Sequence, residues 1–378
     1  MKIGINASRA RSGGARAHLI GILQGLDPAR FGIEQVHVWS YQGLLDELPK
    51  ASWLHVHSPT ALEGSLATQL AWERWTLPGE LARTGCDVLM NVDAGSVCRF
   101  RPSVTMSQDM LSYEPGEMDR WSMSLFKLRL IALLYVQNAA LRHADVALFL
   151  TDYARKVIGA SAGRMRAVSV IPHGIPDRFR AIENRPWPEP GAEINCLYIS
   201  PLWLFKHQWI VVEALAMLRK QGIPVRLTLA GGAMDDARQR LDAAIARFDP
   251  NGEFVCQMGQ VAPDALPGLM RDSDLFVFAS SCENMPITLL EGMAAGLPIV
   301  SSDRGPMPEV LGDAGVYCDP EDPVSVADAI RGLISDAELR TAVAHRARER
   351  ALQFTWQRCS DETFALLADT ARAARGQR

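Results

Sequence analysis

The 378-residue sequence lacks the features that mark several common classes of protein. With a formal net charge of -4 and a pI near 6.1, it lacks the basic field that nucleic-acid-binding proteins use to attract phosphates. It contains no long polar tract, and nearly half of its residues are hydrophobic, which is typical of folded rather than disordered chains. A chain of this length is expected to form two domains of ordinary size, with no nucleic-acid partner.

Cysteine is scarce: the seven residues are scattered along the chain, and none has C-x-x-C or metal-ligand spacing. This usage predicts buried thiols in a reducing cytosol, with no metal site. The N-terminal residues lack the long apolar region of a signal peptide. The longest apolar-rich stretch, residues 128–141, is interrupted by polar residues and is too short to span a bilayer. We therefore expect a cytoplasmic protein, either soluble or peripheral on the inner face of the cytoplasmic membrane.

Short apolar, β-branched runs alternate with helical patterns, which is typical of parallel sheets wound by crossover helices. The runs predict strands over residues 2–7, 35–39, 53–57, 88–91, 103–106, 146–150 and 167–171, and then over 195–200, 225–230, 254–256, 275–279 and 299–302. The proline-rich segment 175–193 predicts a linker. From Ala337 onward we expect two helices broken near residues 354–356, with a frayed end.

Gly13 and Gly14 follow the first predicted strand and open a helix predicted over residues 15–26. Glycines at such a turn let the backbone approach a phosphate or a sugar. A Gly-Gly pair by itself is more often a simple loop. The complete G-x-G-x-x-G fingerprint is missing, which disfavours a dehydrogenase.

Two glutamates stand eight positions apart in ENMPITLLEGMAAGLPIV, residues 283–300, directly after the strand LFVFAS. Glu283 precedes a helix whose start is set by Pro286, and Glu291 lies within that helix. Both carboxylates can therefore converge on one polyol, since a carboxylate accepts hydrogen bonds from neighbouring hydroxyls. By spacing alone, two solvated glutamates, one near the helix start and one on the helix face, are the favoured explanation.

The motif Glu283-x7-Glu291, with the small residues and prolines that follow it, resembles the signature of the group 1 family of retaining GT-B glycosyltransferases. The resemblance extends to VIPHGI at 170–175, LAGGA at 229–233, and the segments 259–281 and 315–330. It implies an α/β GT-B fold of two Rossmann-like domains whose parallel sheets face an interdomain cleft. The implied domains are an acceptor-side domain over 1–172, a nucleotide-sugar-binding domain over 173–353, and a C-terminal helix over 354–378 that returns to the first domain.

The resemblance also implies roles for single residues. Glu291 would hold the ribose hydroxyls of the donor, and Glu283 would orient and polarise the transferred sugar. Lys206 matches a family lysine that opens a helix and neutralises the diphosphate, although an ordinary surface lysine explains it equally well without that context. Further donor contacts are expected at Gly13, Gly14, Ser200, Gly259, Pro286 and Ile287.

The sequence departs from the family pattern at two places. Ser200 and Pro201 stand where a glycine and an arginine usually precede the lysine, so another basic residue, Arg16 or Arg304, is the candidate replacement. Gln108 and Asp109 stand near the usual position of a histidine that contacts the sugar. Gln108 can donate to a hydroxyl or carbonyl but cannot take up a proton, so it is a catalytic candidate without a general-base role; capping a turn is the alternative.

Three further histidines, His55, His57 and His173, are expected to be structural. The helix predicted over residues 121–143 carries Lys127, Arg129 and Arg142 and no acidic residue. Such a helix can lie on an anionic bilayer, a peripheral contact that suits a lipid-linked acceptor. A buried crossover helix explains the same pattern and is the favoured interpretation.

The predicted function is retaining transfer of a hexose from a nucleotide-diphosphate sugar, GDP-mannose or a UDP-sugar. The acceptor would be a saccharide or lipid-linked saccharide of a surface polysaccharide, and no metal or other cofactor is expected. The alternatives are a nucleotide-sugar epimerase or phosphorylase on the same fold, or a non-catalytic nucleotide-sugar-binding protein. The departures at Pro201 and Gln108 keep the last alternative open.

Overall fold

The computed structural model describes residues 1–11, 13–121, 124–232 and 235–376. It divides the chain into two compact units: unit 1 contains Met1–Gly174 and the chain from Thr355 onward, and unit 2 contains Ile175–Phe354. Residues 122–123 of the basic helix, residue 233 of LAGGA, and the last two residues of the predicted frayed end lie outside the described residues. Within the described part, no helix combines the length and apolar character needed to cross a bilayer.

Unit 1 is built on a seven-stranded parallel sheet in the order β3-β2-β1-β4-β5-β6-β7. The strands are β1 (Lys2–Asn6), β2 (Gln35–Trp39), β3 (Leu54–His57), β4 (Val88–Asn91), β5 (Ser103–Met106), β6 (Val146–Phe149) and β7 (Val168–Val170). Each predicted strand agrees with these bounds to within one residue at either end. The strand order reverses between β1 and β4, the place where α/β sheets of this kind bind ligands at the carboxyl ends of their strands.

The described residues of unit 1 form seven helices before the second sheet. They are α1 (Gly13–Gln24), α2 (Pro28–Phe31), α3 (Gln42–Leu45), α4 (Leu66–Ala71), α5 (Leu77–Thr84), α6 (Leu125–His143) and α7 (Asp152–Ala162), and a π-helical turn, Trp72–Thr76, joins α4 to α5. The α1 helix begins two residues before the predicted start. The α6 helix begins at Leu125 rather than residue 121, because the hydroxyl of Ser124 accepts from the Lys127 amide as its N-cap.

The favoured interpretation of α6 as a buried crossover helix is wrong for one of its faces. Leu125 is 86% exposed, Leu128 is 51% exposed and Tyr135 is 68% exposed. Arg129 and Ala132 lie on the same exposed stripe, because residues three and four apart share a helix face. Only the opposite face, which includes Leu130 and Leu141, is buried in unit 1.

Unit 2 contains a six-stranded parallel sheet in the order β10-β9-β8-β11-β12-β13. The strands are β8 (Ile194–Ile199), β9 (Val225–Ala230), β10 (Val255–Gly259), β11 (Leu275–Phe278), β12 (Ile299–Ser302) and β13 (Val316–Cys318). The sequence prediction ended β10 three residues early, because the last residues of this edge strand, Gln257, Met258 and Gly259, are exposed and do not continue the apolar run. It missed β13, which is only three residues long and only partly buried.

The helices of unit 2 are α8 (Gln208–Lys220), α9 (Asp235–Phe248), α10 (Leu266–Arg271), α11 (Ile287–Ala295), α12 (Met307–Leu311), α13 (Pro323–Ser335) and α14 (Ala337–Ala351). The segment 175–193, predicted to be a linker, is irregular apart from one 3-10 turn. It nevertheless packs on unit 2: Phe179 and Ile182 are buried, and Arg180 donates to the carbonyls of Ala351 and Phe354 at 3.0 and 2.7 Å.

The last helix, α15 (Trp356–Gly376), belongs to unit 1. Its Trp356 leaves no room for a side chain at two glycines: a Cβ on Gly21 would lie 2.2 Å from the indole ring, and one on Gly174 would lie 2.2 Å from the Trp356 amide nitrogen. The Nδ1 atoms of buried His18 and His173 are 3.0 Å apart beneath this contact. Burial lowers the pKa of His18 to about 3, so the pair is neutral and His173 is a structural residue, as predicted.

Candidate active site

The Glu283 to Glu291 motif lies at the carboxyl edge of the unit 2 sheet, because β11 ends at Phe278 and α11 begins at Ile287. Pro286 is the N-cap residue of α11 and offers no side-chain hydrogen bond to the first amides. The first turn also contains no acidic residue. The N–H groups of Ile287 and the following residues therefore present the partial positive charge of a helix N-terminus, a suitable place for an anion.

Glu291 lies one turn into α11 and is only 7% exposed. Burial raises the pKa of Glu291 to about 8, and the positive charge of Arg178 offsets only part of this effect. No hydrogen-bond donor among the described residues contributes to that pKa. A buried carboxylate without donors is costly, so the structure holds an acceptor group ready for hydroxyls of a ligand.

Lys206 and Glu283 form an ion pair at the same edge of the sheet, with the ammonium donating to Oε1 of the carboxylate. Their side chains are 9% and 15% exposed, and Nζ lies 5.3 and 5.4 Å from the ring centroids of Phe205 and Phe278. Sequence analysis assigned these two residues to different parts of one ligand. The structure brings them together, so an anion at this place would compete with Glu283 for the ammonium.

Lys206 does not open a helix, contrary to the sequence prediction. It ends a 3-10 turn, Leu204–Lys206, and His207 follows in the left-handed region with φ 51° before α8 begins. The Tyr198 hydroxyl donates to the Lys206 carbonyl at 2.6 Å, and Nε2 of His207 lies 2.9 Å from Oγ of Ser281. Sequence reasoning missed these supports, since a left-handed histidine has no sequence signal.

A cavity of about 310 Å³ opens at the carboxyl ends of β8, β9 and β10, and both Ser200 and Gly259 line it. Gly231 is at φ +151°, and a Cβ there would lie 2.0 Å from the Ser200 carbonyl oxygen. The Gly231 amide donates to the Gly259 carbonyl at 2.7 Å. Glycine at 231 therefore allows the loops after β8 and β9 to meet and shape this cavity.

The cations proposed to replace the missing arginine already have partners. Arg16, on α1, is ion-paired with Glu47 in unit 1. Arg304, in unit 2, is ion-paired with Asp303 at 3.1 Å and with Asp319 at 3.0 Å. Gly13 and Gly14 form the first two residues of α1, and nothing lies within 4 Å of a Cβ built on Gly13, whose φ is +64°.

Gln108 follows β5 in unit 1, where its side-chain amide donates to the Val92 carbonyl at 2.8 Å. Next to it, burial raises the pKa of the Asp109 carboxyl. A second aspartate, Asp93, follows the neighbouring strand β4, and burial raises its pKa to about 6, with the charge of Asp109 adding to the effect. Sequence reasoning missed Asp93, although its position just after a buried strand is a usable signal.

Among the described residues, no group of three or more histidines, cysteines and carboxylates has the geometry to hold a metal ion. His37 and His57 share a ring hydrogen bond of 3.1 Å, and His55 stacks on His37 with centroids 4.9 Å apart, so His55 and His57 belong to a histidine stack on the unit 1 sheet. None of the seven cysteines forms a disulfide, and six of them are buried, as predicted; Cys256 is half-buried.

Comparisons with known proteins show which family and which fold this chain is similar to. Residues 193–336 match the family model for glycosyl transferases group 1. The O-antigen chain mannosyltransferase B of Escherichia coli is 30% identical over 40% of this chain and 39% of its own length. A GDP-mannose-dependent α-(1-6)-phosphatidylinositol dimannoside mannosyltransferase of Mycobacterium tuberculosis is 29% identical over 70% of this chain and 68% of its own length.

Among solved structures, Anabaena Alr3699/HepE in complex with UDP and glucose has a TM-score of 0.73 and 21% identity, covering 98% of this chain and 100% of that chain. Each of the two α/β units contains a parallel sheet, and the similarity to this solved structure identifies the fold as GT-B. The chain is therefore similar to the group 1 glycosyltransferases, and the family match itself spans residues 193–336.

Proposed function

We propose that the protein is a retaining hexosyltransferase that takes its hexose from a nucleotide-diphosphate sugar. The proposal rests on one arrangement at the carboxyl edge of the unit 2 sheet: the Glu291 carboxylate, which has no hydrogen-bond donor among the described residues, the Lys206–Glu283 ion pair, and the N-terminus of α11, which lacks a side-chain cap. A nucleotide sugar presents ribose hydroxyls, a diphosphate and sugar hydroxyls. The ribose hydroxyls can donate to Glu291, the diphosphate can accept from Lys206 and the α11 amides, and the sugar hydroxyls can donate to Glu283.

In this assignment Glu291 accepts hydrogen bonds from the ribose hydroxyls, and the cavity beside Ser200 and Gly259 receives the base. Its volume of about 310 Å³ lies at the lower end of the range for small-molecule sites. The diphosphate lies between Lys206 and the first amides of α11. Glu283 orients the transferred hexose through its hydroxyls.

Lys206 supplies the main electrostatic contribution to the reaction. As the glycosidic bond breaks, the leaving diphosphate gains negative charge, so a cation beside it stabilises the transition state more than the bound donor. In the proposed retaining reaction the diphosphate accepts the proton of the incoming hydroxyl on the same face of the sugar. Glu283, paired with Lys206, polarises the hexose and does not attack it.

The donor and acceptor classes are proposed by analogy with the relatives. One relative is named as GDP-mannose-dependent and acts on a phosphatidylinositol dimannoside, and the solved HepE structure contains UDP and glucose. We therefore propose GDP-mannose or a UDP-sugar as donor and a saccharide or lipid-linked saccharide of a surface polysaccharide as acceptor. No metal is required in this scheme, because Lys206 and the α11 amides neutralise the diphosphate.

A lipid-linked acceptor would bring the protein to the cytoplasmic face of a membrane, and the exposed stripe of α6 favours this location. Leu125, Leu128 and Tyr135 present apolar surface beside Arg129, and the helix has no acidic residue. Such a stripe suits an anionic bilayer. Co-sedimentation with anionic vesicles should be lost in Leu125→Glu/Leu128→Glu but kept in Leu66→Glu, which changes an exposed leucine of α4 (59% exposed). Equal sedimentation of the two variants would refute the contact.

The decisive experiment for the activity has two stages. Thermal shifts with UDP, GDP, ADP, dTDP and their sugars identify the nucleotide, because a ligand at about a hundred times its Kd stabilises the fold by about 2.7 kcal/mol. Transfer from the selected donor is then measured, with NMR of the product anomer to test retention. Nucleotide binding without turnover would favour the non-catalytic alternative, which the departures from the family pattern at Pro201 and Gln108 keep open. The absence of any nucleotide binding would refute the proposal.

A further inference from the structure

A second cavity, of about 390 Å³, lies at the opposite edge of the unit 2 sheet. Its walls include Asp274, directly before β11, and Pro298, directly before β12, together with part of the segment 184–187 and one face of α14. These positions lie at the amino ends of strands whose carboxyl ends carry the candidate active site. Since β11 has four residues and a parallel strand rises about 3.3 Å per residue, the two edges are roughly 13 Å apart.

Three arginines line this cavity: Arg185, Arg340 and Arg348. Arg185 donates to both oxygens of Asp274 at 2.8 and 2.5 Å, and the aspartate side chain is 1% exposed, so this pair is electrically balanced. Within the described part of the chain, no carboxylate forms an ion pair with Arg340 or Arg348. The cavity therefore carries two positive charges without a direct counter-ion.

Arg340 and Arg348 are held in place by backbone carbonyls. Nη1 of Arg340 donates to Leu333 and Ile334 at 2.9 and 3.1 Å, and its guanidinium carbon lies 3.8 Å from the Trp187 ring centroid. Nη2 of Arg348 donates to the Ile182 carbonyl at 2.5 Å. These contacts fix both guanidinium groups while Nε and the second Nη of each have no acceptor among the described residues.

Preorganised guanidinium groups with free N–H edges favour phosphate, because each fork can bond two of its oxygens. Burial lowers the pKa of Arg340, and the charge of Asp336 offsets only part of this effect. The negative charge of an anion in the cavity would offset the cost of that desolvation. The volume exceeds what a single phosphate occupies and falls within the range for small organic ligands, with Trp187 as an apolar wall.

We propose that this cavity is a second ligand site, which binds the phosphate group of a small phosphorylated metabolite independently of the sugar donor. Arg340 and Arg348 receive the phosphate, and the organic part contacts Trp187 and the space beside Thr341. An organic phosphate therefore binds more tightly than inorganic phosphate, because it fills more of the cavity.

The test uses Thr341, an exposed residue of α14 that lines the cavity. Thr341→Glu introduces a carboxylate beside both arginines, and Thr341→Gln is the matched control of similar size without charge. Calorimetric titrations use inorganic phosphate, mannose 6-phosphate and unphosphorylated mannose, in chloride at constant ionic strength. We expect the parent and Thr341→Gln to bind both phosphates, Thr341→Glu to bind them at least tenfold more weakly, and mannose not to bind.

Two additional variants separate this site from the donor site. Lys206→Ala should leave phosphate binding intact, and Thr341→Glu should leave UDP and GDP binding intact, so the two proposals fail independently. Arg348→Gln should weaken phosphate binding at least tenfold, with Arg348→Lys recovering part of it. Equal phosphate affinity in Thr341→Glu and Thr341→Gln, or phosphate binding lost in Lys206→Ala alone, would overturn the second site.

Discussion

Replacing Glu291 by glutamine should raise the stability of the ligand-free protein and weaken its binding of nucleotide. Burial raises the pKa of Glu291 from 4.5 to about 8. A carboxyl whose pKa is higher in the folded state contributes stability that is fully present below pH 4.5 and is lost as the pH rises to about 8. Glutamine has nearly the same shape and no charge at any pH.

The magnitude follows from the size of the pKa shift. At about 1.36 kcal/mol per unit, a rise from 4.5 to about 8 corresponds to at most about 5 kcal/mol. Urea denaturation at several pH values should therefore show the stability gain of Glu291→Gln over the parent growing from about 1 kcal/mol near pH 5 to about 5 kcal/mol near pH 9. The matched control is Glu338→Gln on α14, which replaces an exposed glutamate and should leave the free energy of unfolding close to that of the parent.

Nucleotide affinity should change in the opposite direction. Ribose hydroxyls donate to the ionised carboxylate, so losing that charged acceptor should weaken the cognate nucleotide by about 1.5 to 3 kcal/mol, or roughly ten- to a hundredfold. Because ligand-free Glu291 is largely protonated at neutral pH, binding should also release a proton. Calorimetry in two buffers of different ionisation enthalpy measures that release, and Glu291→Gln should abolish it.

Two results would refute the reasoning. Unchanged affinity of Glu291→Gln for the nucleotide that binds the parent would show that the carboxylate does not hold the ribose. A stability difference that does not vary with pH would show that Glu291 is ionised in the free protein, and hence that some donor satisfies it there.

The remaining predictions concern charge, metal and packing. Lys206→Ala should lower turnover at least about a hundredfold, near 2.7 kcal/mol, with a smaller loss of donor affinity and partial recovery in Lys206→Arg; steady-state kinetics showing less than a tenfold loss would place the diphosphate elsewhere. The same substitution leaves Glu283 buried without its partner and should destabilise the fold by about 3 to 5 kcal/mol in urea, with the loss reduced in Lys206→Ala/Glu283→Gln. Activity should survive dialysis against EDTA, and complete loss restored by manganese or magnesium would contradict the metal-free scheme. Gly174→Ala places a Cβ 2.2 Å from the Trp356 amide nitrogen and should lower the unfolding free energy by more than about 2 kcal/mol; a parent-like urea midpoint would count against that contact.

Sequence patterning performed best for the strands buried on both faces. Such strands are continuous apolar runs bounded by turns, a signal carried by neighbouring residues alone. It failed at β13, where three partly buried residues carry too little pattern. It also gave the wrong burial for one face of α6, because the sequence of an apolar helix is the same whether protein covers its second face or leaves it exposed.

The sequence alone determined the two α/β halves, the place of the Glu283 to Glu291 motif after a strand, and the absence of paired cysteine motifs. These features depend on residues within one or two turns of each other. Only the tertiary structure decided that Lys206 pairs with Glu283, which is 77 residues away, and that Arg16 and Arg304 are already ion-paired. It also decided that Glu291 is buried with no hydrogen-bond donor in the described part of the chain. The physical reason is that ion pairing and desolvation depend on which groups lie within a few ångströms of each other. Residues that are distant along the chain reach such distances only when the strands assemble into a sheet.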